Sequence, residues 1–101
     1  MKSIMDTYKG ACYLCGSIGP TEIHHVFPGV PNRKNSEKYG LKVYLCPYCH
    51  RLGKKAVHNC KATMDEVKRD GQRAFERVHG DREQFMAIFG KNWLGDGIEV
   101  I

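Results

Sequence analysis

The pattern of apolar and polar positions divides the chain into a strand-forming first half and a helical second half. The segment EIHHVFPG at 22 to 29 is rich in β-forming residues and stops at Pro28 and Gly29, which predicts a strand. The alternating segment LKVYL at 41 to 45 predicts a second strand that pairs with the first. The segment between them is polar and is predicted to be a loop.

The chain from residue 61 onward has the spacing of an amphipathic helix. Thr63 and Glu66 form a T-x-x-E capping box at its start, and Gly80 ends the periodic run. The apolar or small residues of its core face are Met64, Val67, Gly71, Ala74, Phe75 and Val78.

A second, shorter helix is predicted to follow. Asp81 and Gln84 repeat the start signal, and the helix ends near Gly90. Its aromatic stripe is typical of core packing rather than of a ligand site. The residues expected to pack against the first half of the chain are Phe85, Phe89 and Trp93.

A chain of 101 residues suits one small domain whose hydrophobic core is marginal without a cross-link or a metal. We therefore expect a single α+β domain over residues 1–101, with a site-bearing core at 12–60 and a helical extension at 61–95. No apolar run reaches the length of a signal peptide or of a membrane span, which needs ~18 residues. We expect a soluble, cytoplasmic protein without a membrane partner.

Basic residues are concentrated in the middle of the chain. Residues 31 to 61 contain eight lysines and arginines against Glu37 alone, a net charge of +7, whereas the whole chain carries +5. Such a segment favours nucleic acid as partner, because neutralising phosphates releases counterions. A merely solvated basic loop is the alternative. The candidate nucleic-acid-binding residues are Arg33, Lys34, Lys38, Arg51, Lys54, Lys55 and Lys61.

Four of the five cysteines form two C-x-x-C pairs, Cys12 with Cys15 and Cys46 with Cys49. In a reducing compartment such pairs predict a tetrahedral zinc site, and four sulfur ligands leave no coordination position open, so the site is structural. The gap between the pairs exceeds the ~15 to 20 residues of a plain zinc ribbon, which indicates an insertion. Cys60 is predicted to be a small buried or free thiol, with a spare ligand as the alternative.

His24 and His25 occupy neighbouring positions of the first predicted strand. Adjacent strand residues leave from opposite faces, so this pair suits two different tasks better than one shared task. Four features follow one another along the chain: the first C-x-x-C pair, the histidine pair, a polar loop with asparagine, and LCPYCH followed by a further histidine. Together they resemble the HNH endonucleases of the His-Me finger (ββα-metal) superfamily. The resemblance covers about residues 12 to 60 and is closest to small HNH proteins of phage and prophage genomes.

The resemblance implies a ββα-metal core and a DNA endonuclease that uses one catalytic divalent ion. The first histidine of the pair, His24, is then a metal ligand, and His25 is the general base that takes a proton from water. His50 corresponds to a metal ligand at the start of the short helix. Asn35 corresponds to the central asparagine, which fixes the loop or the base by hydrogen bonding, with Asn32 as the alternative.

The sequence departs from the family pattern after His50. The usual last ligand lies about four residues later, where this chain has Lys54, and the next histidine is His58. A straight helix would separate His50 and His58 by about 12 Å at ~1.5 Å per residue, too far for one ion. Gly53 offers a break at which the chain can fold back, so His58 is predicted to be a ligand, with a structural or phosphate-contacting histidine as the alternative.

Two other functions compete with the endonuclease. A zinc-stapled nucleic-acid-binding module without catalysis leaves the histidine pair unexplained, and a protein-interaction zinc module leaves the basic segment unexplained. The cofactors expected for the endonuclease are structural Zn²⁺ and a catalytic Mg²⁺, Mn²⁺, Ni²⁺, Co²⁺ or Zn²⁺ ion. The expected partner is DNA, bound mainly through phosphates, and sequence recognition is assigned to a homodimer or a phage protein partner.

Overall fold

The computed structural model describes residues 1–95, which form an antiparallel strand pair, three α-helices and one π-helical turn. In the strand pair, His24 lies opposite Val43 and His25 lies opposite Lys42. The predicted strand pairing and the α+β class are confirmed. The elements are β1 (Glu22–His25), α1 (Asn32–Tyr39), β2 (Lys42–Leu45), the π turn (Tyr48–Leu52), α2 (Lys61–Val78) and α3 (Arg82–Phe89).

Helix α1 occupies the segment that was predicted to be a polar loop, and that prediction was wrong. Its sequence NRKNSEKY has no apolar stripe, and Ser36 is its only buried residue. Ser36 Oγ accepts a hydrogen bond from the Phe27 N–H and donates one to the Phe27 carbonyl, which fixes α1 against the end of β1. The helix is thus held by tertiary hydrogen bonds that periodicity does not reveal.

The two predicted C-terminal helices are confirmed, with one difference at the start of α2. Helix α2 begins directly after Cys60 without a side-chain cap, so the capping box predicted at Thr63 does not form. Helix α3 has its predicted capping box, because Asp81 accepts from the Gln84 N–H and the Gln84 side chain accepts from the Asp81 N–H. No helix within residues 1–95 has the length and apolarity needed to cross a membrane.

An aromatic cluster joins the strand pair to the C-terminal helices. The Phe27 ring lies 5.3 Å from that of Phe85 and 4.8 Å from that of Phe89, between ring centroids. Both α3 rings are buried, and Trp93 is partly buried against the same cluster, as predicted. Val78 was predicted to face the core, but its side chain is 55% exposed in the last turn of α2.

Helix α2 packs closely at Gly71 against the residues that follow β1. A Cβ atom there would lie 2.7 Å from Val26 Cγ1 and 3.1 Å from the Phe27 ring. A helical glycine ordinarily costs ~0.5 to 1 kcal/mol relative to alanine, and here it is offset by the contact that it permits. The contact fixes α2 beside the strand that carries His24 and His25.

Candidate metal centres

The two C-x-x-C pairs come together as one four-cysteine cluster. The sulfur atoms of Cys12, Cys15, Cys46 and Cys49 all lie within 4.8 Å of one another. Cys12 Sγ accepts a hydrogen bond from the Cys15 N–H at 3.5 Å, and Cys46 Sγ accepts one from the Cys49 N–H at 3.4 Å. The cluster is compatible with structural zinc. Cys60 lies outside it as a partly exposed free thiol.

Hydrogen bonding and crowding have opposite effects on the cysteine thiols. The hydrogen bond with Ser17 lowers the pKa of Cys15 to about 6. Burial opposes ionisation of Cys12, but backbone hydrogen bonds outweigh it and its pKa is lowered. Burial, followed by the neighbouring thiols, raises the pKa of Cys49. Neighbouring thiolates repel one another, so a bound cation is needed for all four to ionise together.

Three histidines form a second cluster. Ring nitrogens of His24, His50 and His58 all lie within 4.8 Å of one another, and the Nε2 atoms of His50 and His58 are 3.2 Å apart. His24 is only 2% exposed, and burial lowers its pKa to about 3, so its imidazole is neutral. Its Nε2 is the one buried side-chain polar atom within residues 1–95 that has no hydrogen-bond partner. Leaving such an atom unpaired costs ~1 to 3 kcal/mol.

The chain reverses at Gly53, as the sequence predicted, and this reversal brings His58 to the cluster. The π turn takes the place of the expected short α-helix and ends at Gly53 in extended backbone. A Cβ atom at Gly53 would lie 2.7 Å from the Tyr48 ring, so a larger residue would have to displace this exposed ring. The returning segment is held by hydrogen bonds from the Val57 N–H to the Cys49 carbonyl and from the His58 N–H to the His50 carbonyl.

Asn59 holds the same reversal from its far side, and sequence reasoning missed it. Its side-chain amide donates to the Arg51 carbonyl at 2.8 Å and to the Gly53 carbonyl at 2.9 Å. Asparagine directly after a turn was the available signal, since its short amide often bonds to nearby backbone. The position of His58 therefore depends on Asn59 as well as on Gly53.

Glu22 was also missed, and it orients His50. Its Oε1 lies 2.8 Å from His50 Nδ1, and Arg51 donates to both of its carboxylate oxygens. Arg51, and after it His50, lower the pKa of Glu22 to about 2. The ionised carboxylate accepts a hydrogen bond from His50 Nδ1–H, and in this tautomer the Nε2 lone pair faces the cluster. The signal was the two-residue spacing from His24, which puts both side chains on one side of β1.

A second carboxylate, Glu37, pairs with His25. Its Oε1 lies 2.9 Å from His25 Nε2, and Lys42 Nζ donates to its other oxygen at 2.8 Å. Lys42, and after it His25, lower the pKa of Glu37 to about 2. In the tautomer that carries its proton on Nε2, His25 donates to this carboxylate and its Nδ1 is an acceptor. Glu37 was noted only as the single acid in the basic segment.

A shallow pocket of about 160 Å³ brings the two adjacent histidines to one surface. It places His25 beside the three-histidine cluster although the two side chains leave opposite sides of β1. Arg33 is the cation on its wall, and Lys34 lines the neighbouring depression beside His25 and Glu37. The pocket is lined by Ile23, His24, His25, Pro28, Arg33, His50 and His58.

The remaining predicted nucleic-acid-binding residues are exposed but differ in their pairing. Lys54 and Lys55 form no ion pair within residues 1–95, whereas Lys61 pairs with Asp65 at 2.6 Å. Lys38 lies over the Tyr39 ring at 5.4 Å. Arg51 is already engaged with Glu22, as described above, so its charge is less available to phosphate than those of Lys54 and Lys55.

The two asparagines considered for the central position join α1 to α3. Asn35 Nδ2 donates to the Ile88 carbonyl and to Asn32 Oδ1, both at 3.3 Å. Asn32 Nδ2 donates to the Phe89 carbonyl at 3.1 Å. Of the two roles expected for Asn35, fixing the loop or fixing the base, these contacts support the first.

Comparison of the chain with protein-family models, with curated proteins and with solved structures gave no significant match. The interpretation of the two clusters therefore depends on their geometry and chemistry.

Proposed function

We propose that the protein is a metal-dependent endonuclease of the HNH type that hydrolyses phosphodiester bonds of DNA. In this proposal β1, β2 and the π turn form the ββα-metal core, and the four-cysteine cluster binds a structural zinc ion. The phage proteins that the motifs resemble supply the precedent. The observations that support it belong to the three-histidine cluster and its neighbours.

The observation that carries the proposal is the buried Nε2 atom of His24, which lacks a partner and lies beside His50 and His58. Three imidazoles with converging nitrogens suit a divalent ion such as Mn²⁺, Ni²⁺, Co²⁺ or Zn²⁺ better than Mg²⁺, which prefers oxygen ligands. A bound ion there would stabilise the negative charge that develops on the phosphate and on the leaving oxygen. His24, His50 and His58 are its proposed ligands.

His25 is the proposed general base. Glu37 accepts a hydrogen bond from His25 Nε2–H and so orients the ring, which leaves Nδ1 to remove the proton from the attacking water. Glu37 is a positioning residue, because it acts through His25. Arg33 lies on the wall of the same pocket and is proposed to bind the phosphate that is cleaved. Lys34 lines the neighbouring depression and is proposed to bind the adjacent phosphate.

Plasmid nicking by the purified protein tests the proposal. Supercoiled plasmid is incubated with the zinc-loaded protein and added Mn²⁺, Ni²⁺, Co²⁺ or Mg²⁺, and nicked and linear forms are measured over time. We expect cleavage that depends on the added ion and is lost in His24→Ala. His79→Gln is the matched control, because His79 lies outside both clusters and bonds to the Tyr39 carbonyl.

The same experiment separates the endonuclease from a nucleic-acid-binding module without catalysis, which the basic segment also favours. DNA binding without nicking under any of the ions would refute the endonuclease and support the binding module. Nicking that persists undiminished in His24→Ala would show that a contaminating nuclease, rather than this site, is responsible.

A further inference from the structure

Trp93, the only tryptophan of the chain, carries two lysine ammonium groups on its ring. Lys68 Nζ, from α2, lies 4.4 Å from the ring centroid, and Lys91 Nζ lies 4.1 Å from it. The Trp93 backbone N–H donates to Gln72 Oε1 at 2.7 Å, Gln72 is fully buried, and the Trp93 side chain is partly buried against the core. Two cations therefore lie close together on one anchored aromatic ring.

These two ammonium groups lack the acceptors that lysines usually find. Within residues 1–95, neither Lys68 nor Lys91 forms a hydrogen bond or an ion pair. The nearby Asp65 carboxylate bonds instead to Lys61. Burial lowers the pKa of Lys68, the Asp65 carboxylate opposes this, and the charges of Lys91 and Lys61 lower it further. A bound anion would supply acceptors and remove this repulsion.

The cluster also lies near the strand that carries His24 and His25, because Lys68 is one helical turn before Gly71 of α2, which packs against Val26. A polyanion that extends from the pocket of His24 and Arg33 along this side of α2 would meet Lys68. A strand of nucleic acid meets this requirement, because its phosphates repeat along the backbone.

We propose that Lys68, Lys91 and Trp93 form a second phosphate-binding site. It binds the nucleic-acid backbone at a phosphate distant from the bond that is cleaved. The inference rests on the proposed function in one respect, the nature of the ligand. The DNA contacts predicted from the sequence all lie within residues 31 to 61, so this site extends the binding surface onto α2 and the segment after α3.

Tryptophan fluorescence tests the site directly. A short DNA duplex is titrated into the zinc-loaded protein without further divalent ion, and Trp93 emission is followed. We expect a saturable change in emission, because phosphate binding draws the two ammonium groups from the ring. An emission spectrum unchanged at saturating duplex, with binding confirmed by anisotropy of labelled DNA, would overturn the proposal.

Charge-removing variants provide the second measurement. Lys68→Met with Lys91→Met keeps the aliphatic stems and should flatten the slope of log affinity against log salt by about two units. Lys2→Gln with Lys9→Gln removes the same charge from exposed positions of a different pocket and serves as the control. Equal slopes in the two double variants would overturn the proposal. Because Lys91 is exposed, Lys91→Met alone gives a variant whose folding is not at risk, with an expected change of about one unit.

Two further arms identify the ligand and separate the two proposals. Inorganic phosphate at the same phosphate concentration should change Trp93 emission far less than the duplex does. An equal response, or a response to a poly-glutamate peptide but not to the duplex, would overturn the nucleic-acid site. A change of Trp93 emission with duplex but without plasmid nicking would support this site and refute the endonuclease. Nicking without a change of Trp93 emission would support the endonuclease and refute this site.

Discussion

The four-cysteine and three-histidine clusters are joined by one peptide bond, between Cys49 and His50, yet they are built differently. The cysteine cluster combines two copies of one local turn, and its ligand atoms are all sulfur. The histidine cluster combines a strand residue with two residues of an irregular reversal, and a carboxylate supports it from outside. A closed set of sulfurs suits a structural ion, whereas three imidazoles leave room for a reacting group.

The largest expected effect concerns the cysteine cluster. Cys46→Ala should unfold the protein or make it insoluble, because structural zinc contributes roughly 10 kcal/mol or more and its binding is coupled to folding. Circular dichroism and zinc content check this. Cys60→Ala, outside the cluster, should change the free energy of unfolding by only ~0.5 kcal/mol. A soluble Cys46→Ala variant with an unchanged thermal transition would remove the distinction between the clusters.

The next largest effect, on nicking rate and metal binding, separates the proposed roles of His24 and His25. His25→Ala should reduce nicking at least ~10²-fold, the usual contribution of a positioned general base, and keep the divalent ion and DNA bound. His25→Asn should be nearly as inactive, since an amide does not take the proton. His24→Ala should lose the second ion as well. Nicking rates and calorimetric metal titrations on all three variants are needed, and equal metal loss at His24 and His25 would contradict the division.

A smaller effect, on the affinity for the second ion, tests whether Glu22 orients His50 in the histidine cluster. Glu22→Gln should weaken binding of the second ion by about 10- to 100-fold, because the amide no longer fixes the His50 tautomer as a carboxylate does. Zinc content should stay the same, since no carboxylate contacts the sulfurs in the described residues. Glu37→Gln is the matched control for metal affinity, because it contacts His25 rather than a proposed ligand. Equal losses of affinity in the two variants would argue against the assignment.

The smallest expected effect is on the salt dependence of DNA binding, and it distinguishes basic side chains without an ion pair from a basic side chain that is already paired. Replacing Lys54 and Lys55 together with methionine should flatten the salt dependence of DNA binding by about two units. Arg51→Met should change it by less than one unit, because its guanidinium already bonds to Glu22. Anisotropy of labelled duplex at several salt concentrations measures both. A salt slope near zero in the parent protein would exclude the nucleic-acid interpretation.

The predictable parts of this molecule are those with local causes. The C-x-x-C spacing brings two thiols together within one turn, and the alternation of LKVYL matches its burial in β2. The contact between His50 and His58 was expected from the family resemblance, which implies that both bind one ion, and Gly53 offered the break that a straight helix would lack. These inferences needed no knowledge of distant contacts.

The missed parts have long-range causes. Helix α1 is very polar, and its position depends on Ser36 bonding to Phe27 and on asparagines that reach α3. The pairing of Glu37 with His25 crosses from α1 to β1, so it could not be inferred while α1 was taken for a loop. Trp93 was predicted only as a packing residue and Lys68 was not singled out, because their contact depends on how α2 packs against the segment after α3.

The close packing of Gly71 against Val26 determines how much chain an engineer would have to transfer to move the histidine site into another protein. A fragment ending at Cys60 would retain the motif residues but would uncover Val26 and Phe27, which are almost completely buried here. Such a fragment would offer an adhesive apolar face and would tend to aggregate. The portable unit is therefore the motif together with both C-terminal helices, and shortened designs should begin by replacing that lost cover.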